Sequence, residues 1–218
     1  MNGLYIEPVL SYDLKSKKCT FRMLGTSLLF RSAYAFEVCN MKDVQECAAL
    51  FSKLLKKDFI FTLEGDIRFK LFFTENNFIH LLGLHKLKDI SELNTKSNSA
   101  AKIYKNILSG KLSVDKIQKS AFYSLIEKRI ETFQEINNML DEGKCKIIID
   151  FDKRLIPYTD LKNTKYILYR HKNGGYVHFT MGDKGKGIYP ETFFFENSKR
   201  YVTGQTLLDV KSIEVISL

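Results

Sequence analysis

The chain lacks tryptophan altogether and has only 3 prolines, 12 glycines, 4 cysteines and 4 histidines in 218 residues. So little Pro and Gly excludes collagen-like and Pro/Gly-rich disordered classes. Acidic residues are also scarce, with 25 Asp+Glu against 34 Lys+Arg, which leaves a formal net charge of +9. No apolar run approaches the roughly eighteen residues a membrane span needs. The best stretch, residues 23–39, is interrupted by Arg31 and Glu37. Glu7, Asp13 and Lys15 break any apolar signal-peptide region, so a soluble cytoplasmic protein with no membrane partner is expected. The cysteines, Cys19, Cys39, Cys47 and Cys145, stand 20, 8 and 98 residues apart and match no zinc-ligand spacing. Reduced thiols are expected, with no metal site and no cofactor.

Against these absences stand 17 Phe and 11 Tyr in a chain that is 44% hydrophobic, enough apolar surface for a well-buried core. The positive charge is concentrated. Residues 96–129 carry eight basic side chains against Asp115 and Glu127, and residues 162–186 carry six against Asp183. Clustered positive charge with interleaved Tyr and Phe is the footprint of a polyanion binder, and nucleic acid is the expected partner. Solvated Lys-rich faces are the plain alternative.

Residues 1–40 show no sustained period and read as an extension or a misassigned upstream start; residues 41–218 read as one α+β domain. Val44, Cys47, Ala48, Phe51 and Leu54 have helical spacing. Residues 58–64 and 67–73 flank Glu64-Gly65-Asp66 as a hairpin. Asn76 and Asn77 offer capping groups to a short helix that Gly83 stops. Helices are expected over 100–108 and from Ser113 to Leu140. Strands are then expected over 145–151, 165–171, 176–182 and 207–216, with Asn173-Gly174-Gly175 as a tight turn. Strands, helices and a final run of antiparallel strands describe N-terminal helices packed on an antiparallel sheet of about four strands.

Histidine is the side chain best suited to proton transfer near neutral pH. In the alternating segment from Tyr176 to Met181, Val177, Phe179 and Met181 take one face as core. Tyr176, His178 and Thr180 take the other, a candidate catalytic surface. A two-residue turn at Asn173-Gly174 puts Tyr169 opposite His178, whereas a three-residue loop puts Arg170 there; both stay open. His80 lies among Phe78, Ile79, Leu81 and Leu82, where a buried structural histidine is the bland reading. His80 and His85 are out of helical phase for a zinc pair, and Gly83 separates them. If His80 turned towards His178, the two would serve as acid and base, with Lys86 or Arg170 stabilising a phosphorane-like transition state. Lys184 and Lys186 in the Gly182–Gly187 loop are candidate backbone contacts, although the loop fits neither a Walker nor a dinucleotide pattern. Glu191 and Thr192 are candidate substrate contacts or local backbone partners. Asp150 and Asp152 leave one strand face and read as ordinary strand-end residues.

The segments Phe78-Ile79-His80-Leu81-Leu82-Gly83-Leu84-His85-Lys86, Tyr166-Ile167-Leu168-Tyr169-Arg170-His171, Val177-His178-Phe179 and Tyr189-Pro190-Glu191-Thr192-Phe193-Phe194 resemble, in this order, the fourth group of phage-associated Barnase–EndoU–colicin–RelE-like nucleases. The resemblance runs from about Met41 to the C-terminus. It implies a Barnase/EndoU/RelE-like core and a metal-independent endoribonuclease, a toxin or effector of phage or mobile-element origin. Its partners would be RNA (tRNA or another structured RNA) and an immunity or antitoxin protein. The catalytic set carried over is His80, His178, Arg170 and Lys86, with Tyr169, Thr180, Lys184, Lys186, Glu191 and Thr192 as substrate contacts. A non-catalytic basic module that binds nucleic acid or a host factor is the runner-up.

Overall fold

A computed structural model describes residues 9–13, 18–22, 43–141, 147–172, 174–183, 185 and 187–218. The chain divides by contacts into Met1–Val38 and Cys39–Leu218. In the first unit, β1 (Val9–Asp13) pairs antiparallel with β2 (Lys18–Arg22).

The second unit opens with α1 (Val44–Leu54), whose first turn is capped by Asp43 accepting from Gln45 N at 2.7 Å and Glu46 N at 2.9 Å. Its stripe of Val44, Cys47, Ala48, Phe51 and Leu54 is buried. Then β3 (Lys57–Leu63) turns through Gly65 and Asp66, both at positive φ, into β4 (Arg68–Phe72). The short helix α2 (Asn77–Leu82) begins where Asn77 Oδ1 accepts from Thr74 N at 2.7 Å, and it ends at Gly83 with φ 72°. Next come α3 (Ala100–Leu108), α4 (Val114–Gln118), α5 (Ser124–Thr132) and α6 (Glu135–Leu140). The single helix expected over 113–140 is therefore three helices, its first break a turn in which Asp89 accepts from Ser120 Oγ and Ala121 N.

The remaining strands are β5 (Ile147–Asp150), β6 (Thr164–Lys172), β7 (Gly175–Asp183), β8 (Ile188–Glu196) and β9 (Thr206–Ser217). The expected four-stranded antiparallel sheet is corrected by the strand order β3-β4-β8-β7-β6-β5-β9, a closed seven-stranded mixed barrel. The cause is the length of β9. Its first half pairs with β5 and its second with β3, which joins the early hairpin to the late strands in one sheet. A parallel bridge between Leu71 and Ile188 closes the ring.

Ring contacts tie helices to barrel through Phe51, Phe73 and Phe179, and through Phe133 and Phe193. On the other sheet face a second cluster of Ile149, Phe151, Ile156, Leu161 and Ile167 is flanked by Tyr169, Phe194 and Tyr201. Strand β7 is thus covered on both faces: Val177, Phe179 and Met181 are buried, and so are His178 and Thr180. The open surface expected for His178 does not exist. Among the described residues, no helix is long and apolar enough to cross a membrane.

Candidate active site

The β6–β7 turn has the two-residue register, with Lys172 opposite Gly175 and Tyr169 opposite His178. Arg170 pairs with Val177 and so leaves the sheet face opposite to His178. It reaches Glu135 of α6 at 3.6 Å, where Lys172 also binds. Burial works to raise the Glu135 carboxyl, but Lys172, Asn138 and Arg170 outweigh it and hold the pKa below its ordinary value.

The His178 ring stacks on Phe194 at 4.9 Å and meets Tyr201 edge-on at 5.6 Å. Among the described residues, neither ring nitrogen has a hydrogen-bond partner in good geometry. Burial lowers its pKa to about 4, opposed by the Tyr176 backbone.

A different histidine pair converges. Because Gly83 ends α2 in the left-handed conformation, the chain folds back through a 3-10 turn over Leu84–Lys86. The His80 and His85 rings lie 5.5 Å apart. The same glycine that breaks the helical phase brings the two side chains together. Burial lowers the His85 pKa, and so do His80, Arg129 and Lys86, against the Ile79 backbone. Lys86 is half-buried, and its pKa falls through burial and Arg129, opposed by Asp160.

Arg129 enters this cluster from α5. Its Nη1 donates to Leu81 O at 3.3 Å and to Thr192 Oγ1 at 3.0 Å, and it forms no ion pair among the described residues. Burial brings its pKa down to about 10, so it stays cationic at neutral pH. A Cβ at Gly83 would stand 3.2 Å from the guanidinium, close enough that the guanidinium would have to give way. A half-buried guanidinium on neutral acceptors, beside two imidazoles and a lysine, is suited to receive an anion.

Of the expected site residues, His80, Lys86 and Thr192 therefore share this cluster, and Thr180 lies directly behind Thr192. His178 and Tyr169 lie at the second apolar cluster. Glu191 accepts from the Thr164 hydroxyl. Lys184 and Lys186 lie outside the described residues. Arg129 was counted in the sequence only as part of a basic stretch. Its signal was position: it interrupts the buried stripe Ile126, Ile130, Phe133.

Among the described residues, no group of three or more His, Cys, Asp or Glu could hold a metal ion. Asp152 is engaged by Arg154, whose side chain and backbone lower its pKa to about 2. Cys47 is buried, and Cys39 and Cys145 lie outside the described residues. A cleft of about 890 Å³ opens elsewhere, lined by Phe69, Phe72, Tyr166 and the cations Arg68, Lys70 and Lys165. Each cation there already has a carboxylate, respectively Glu214, Asp58 and Asp183, and none of the clustered histidines lines it.

Residues 43–214 match the family described as phage-Barnase-EndoU-ColicinE5/D-RelE like nuclease4. The chain belongs to this nuclease family. The match takes in every residue of the His80–His85–Lys86–Arg129–Thr192 cluster. No curated protein and no solved structure matches the nuclease.

Proposed function

We propose that this nuclease is an endoribonuclease that cleaves by attack of a 2′-hydroxyl on the adjacent phosphate. The observation that carries the reading is the pairing of His80 and His85 at 5.5 Å beside a half-buried Arg129 that has no carboxylate partner among the described residues. His85, held neutral by burial and its cationic neighbours, is the general base that takes the 2′-hydroxyl proton. The 2′-oxygen–phosphorus bond forms as the 5′-oxygen–phosphorus bond breaks, and His80 protonates the departing 5′-oxygen. Arg129 and Lys86 stabilise the charge that builds on the phosphorane. The products are a 2′,3′-cyclic phosphate and a 5′-hydroxyl, so the chemistry requires no redox partner.

In this reading His178 serves the core and Arg170 the Glu135 ion pairs, and the roles expected of them pass to His85 and Arg129. Purified protein incubated with total RNA in EDTA should yield cyclic-phosphate ends, and an oligonucleotide with a single 2′-deoxy at the cut site should survive there. A salt-sensitive shift without cleavage would favour the binding module instead. The phage-associated family also supports a toxin or effector role, with an immunity protein as partner. Expression in a bacterial host should then arrest growth, and His85→Ala should relieve the arrest.

A further inference from the structure

Thr180 is fully buried on β7, away from the surface of the site, yet both of its hydroxyl bonds go to one residue. Its Oγ1 accepts from Thr192 N at 3.0 Å and donates to Thr192 O at 3.2 Å. The bonds fall where the β7–β8 ladder slips: Thr180 faces Thr192, but Met181 faces Pro190, so Glu191 is an extra residue on β8. Pro190 supplies no backbone donor, and a bulge lets the strand swivel unless something pins it. Beyond the pin, the Thr192 hydroxyl accepts from Arg129 and points to His80 O at 3.5 Å.

We propose that Thr180 is a positioning residue: by pinning Thr192 at the β8 bulge, it aims the Thr192 hydroxyl at Arg129 and holds the guanidinium beside His80 and His85. Thr180 itself touches none of the reacting groups. The chain of support runs from Thr180 Oγ1 through the Thr192 backbone and hydroxyl to Arg129 Nη1. Only its consequence for catalysis rests on the endoribonuclease reading; the placement of Arg129 does not.

The test is Thr180→Val, which keeps the shape and removes the hydroxyl, with Thr180→Ser as the conservative rescue. His85 is the reporter. The groups facing it are His80 from α2, Lys86 from its own 3-10 turn and Arg129 from α5, with Asp160 beside Lys86. When Arg129 swings away, one source of the depression is lost. The His85 titration followed by NMR in the free protein should therefore move up towards the ordinary 6.5. In cleavage assays kcat should fall by about ten- to a hundredfold with KM little changed, and the acid limb of the pH profile should move up with the titration. Thr180→Ser should restore both. An unaltered His85 titration in a folded Thr180→Val variant overturns the proposal. Should that variant not fold, Thr192→Val removes the Arg129 acceptor directly and must give the same upward move, or the proposal fails. If the wild type cleaves no RNA, the endoribonuclease reading fails, and the titration still decides the role of Thr180.

Discussion

At the residue scale, the site depends on groups whose charge and space are set by a few neighbours. His85→Ala should lower kcat by about 10²- to 10⁴-fold, the usual contribution of a general base, while thermal unfolding stays near wild type because the side chain, though partly shielded by its neighbours, reaches solvent and belongs to neither apolar cluster. A gel-based cleavage time course and a melting curve on the same sample check both halves. Gly83→Ala should harm stability and activity together. It forces a Cβ into the left-handed region at φ 72° and sets it 3.2 Å from the Arg129 guanidinium. A loss of about 1–2 kcal/mol from backbone strain is expected in urea unfolding. His80 and Lys86 were recognisable in the sequence as polar residues in and after an apolar helix. Arg129 was not, because its importance comes from lying against Gly83 and Thr192, which are 46 and 63 residues away.

At the element scale, short helices with explicit ends position the site. α1 carries none of the chemistry, but it buries Phe51 against Phe78 at 5.3 Å, and Phe78 is on the helix that carries His80. Removing its cap by Asp43→Ala should cost about 1 kcal/mol, read as a shift of the denaturation midpoint without a change in slope. A helix stop and two hairpin turns were legible because left-handed glycines are local chemistry: Gly83, Gly65 and Gly174 all sit where the pattern puts them. The division of residues 113–140 into three helices was not legible. The periodic Ile117, Ile126, Ile130 and Ile136 are all buried, so apolar spacing continued across breaks set partly by Asp89, over thirty residues upstream of Ala121. The aromatic run at Phe193–Phe195 concealed β8, because both sides of that strand are covered and alternation is lost.

At the scale of the whole molecule, His178 couples folding to pH. Unfolded, its pKa lies near the ordinary 6.5; folded, burial lowers it to about 4. Between those values the unfolded chain holds a proton that the folded chain does not, so stability rises with pH across this window and is lost as pH falls. At about 1.4 kcal/mol per pH unit, the loss is on the order of 3 kcal/mol. Urea unfolding of wild type and His178→Phe at about pH 7.5 and pH 5 should show a smaller decrease in the variant; equal decreases would place the acid sensitivity elsewhere. The net charge of +9 also changes meaning in the folded molecule. Lys105, Lys116 and Lys128 are paired with Glu75, Glu92 and Glu131, and Lys172 with Glu135. Among the described residues Arg129 at the site has no such partner, and in the proposed reaction it is a cation that meets phosphate.

The amino-acid order by itself determined the local units: the apolar helical stripe from Val44 to Leu54, the Glu64–Asp66 hairpin, the Gly83 stop, the two-residue β6–β7 turn as one of two registers, and membership of a nuclease group through short segments. These follow from side chains acting on their own backbone within a few residues. Only the tertiary structure decided that β9 is long enough to pair with both β5 and β3 and so close a barrel. It also decided that both faces of β7 are covered, which buries His178, and that His80 meets His85 and Arg129 instead. Each of these outcomes depends on contacts between residues far apart in the chain, where period and propensity carry no information about which surfaces meet.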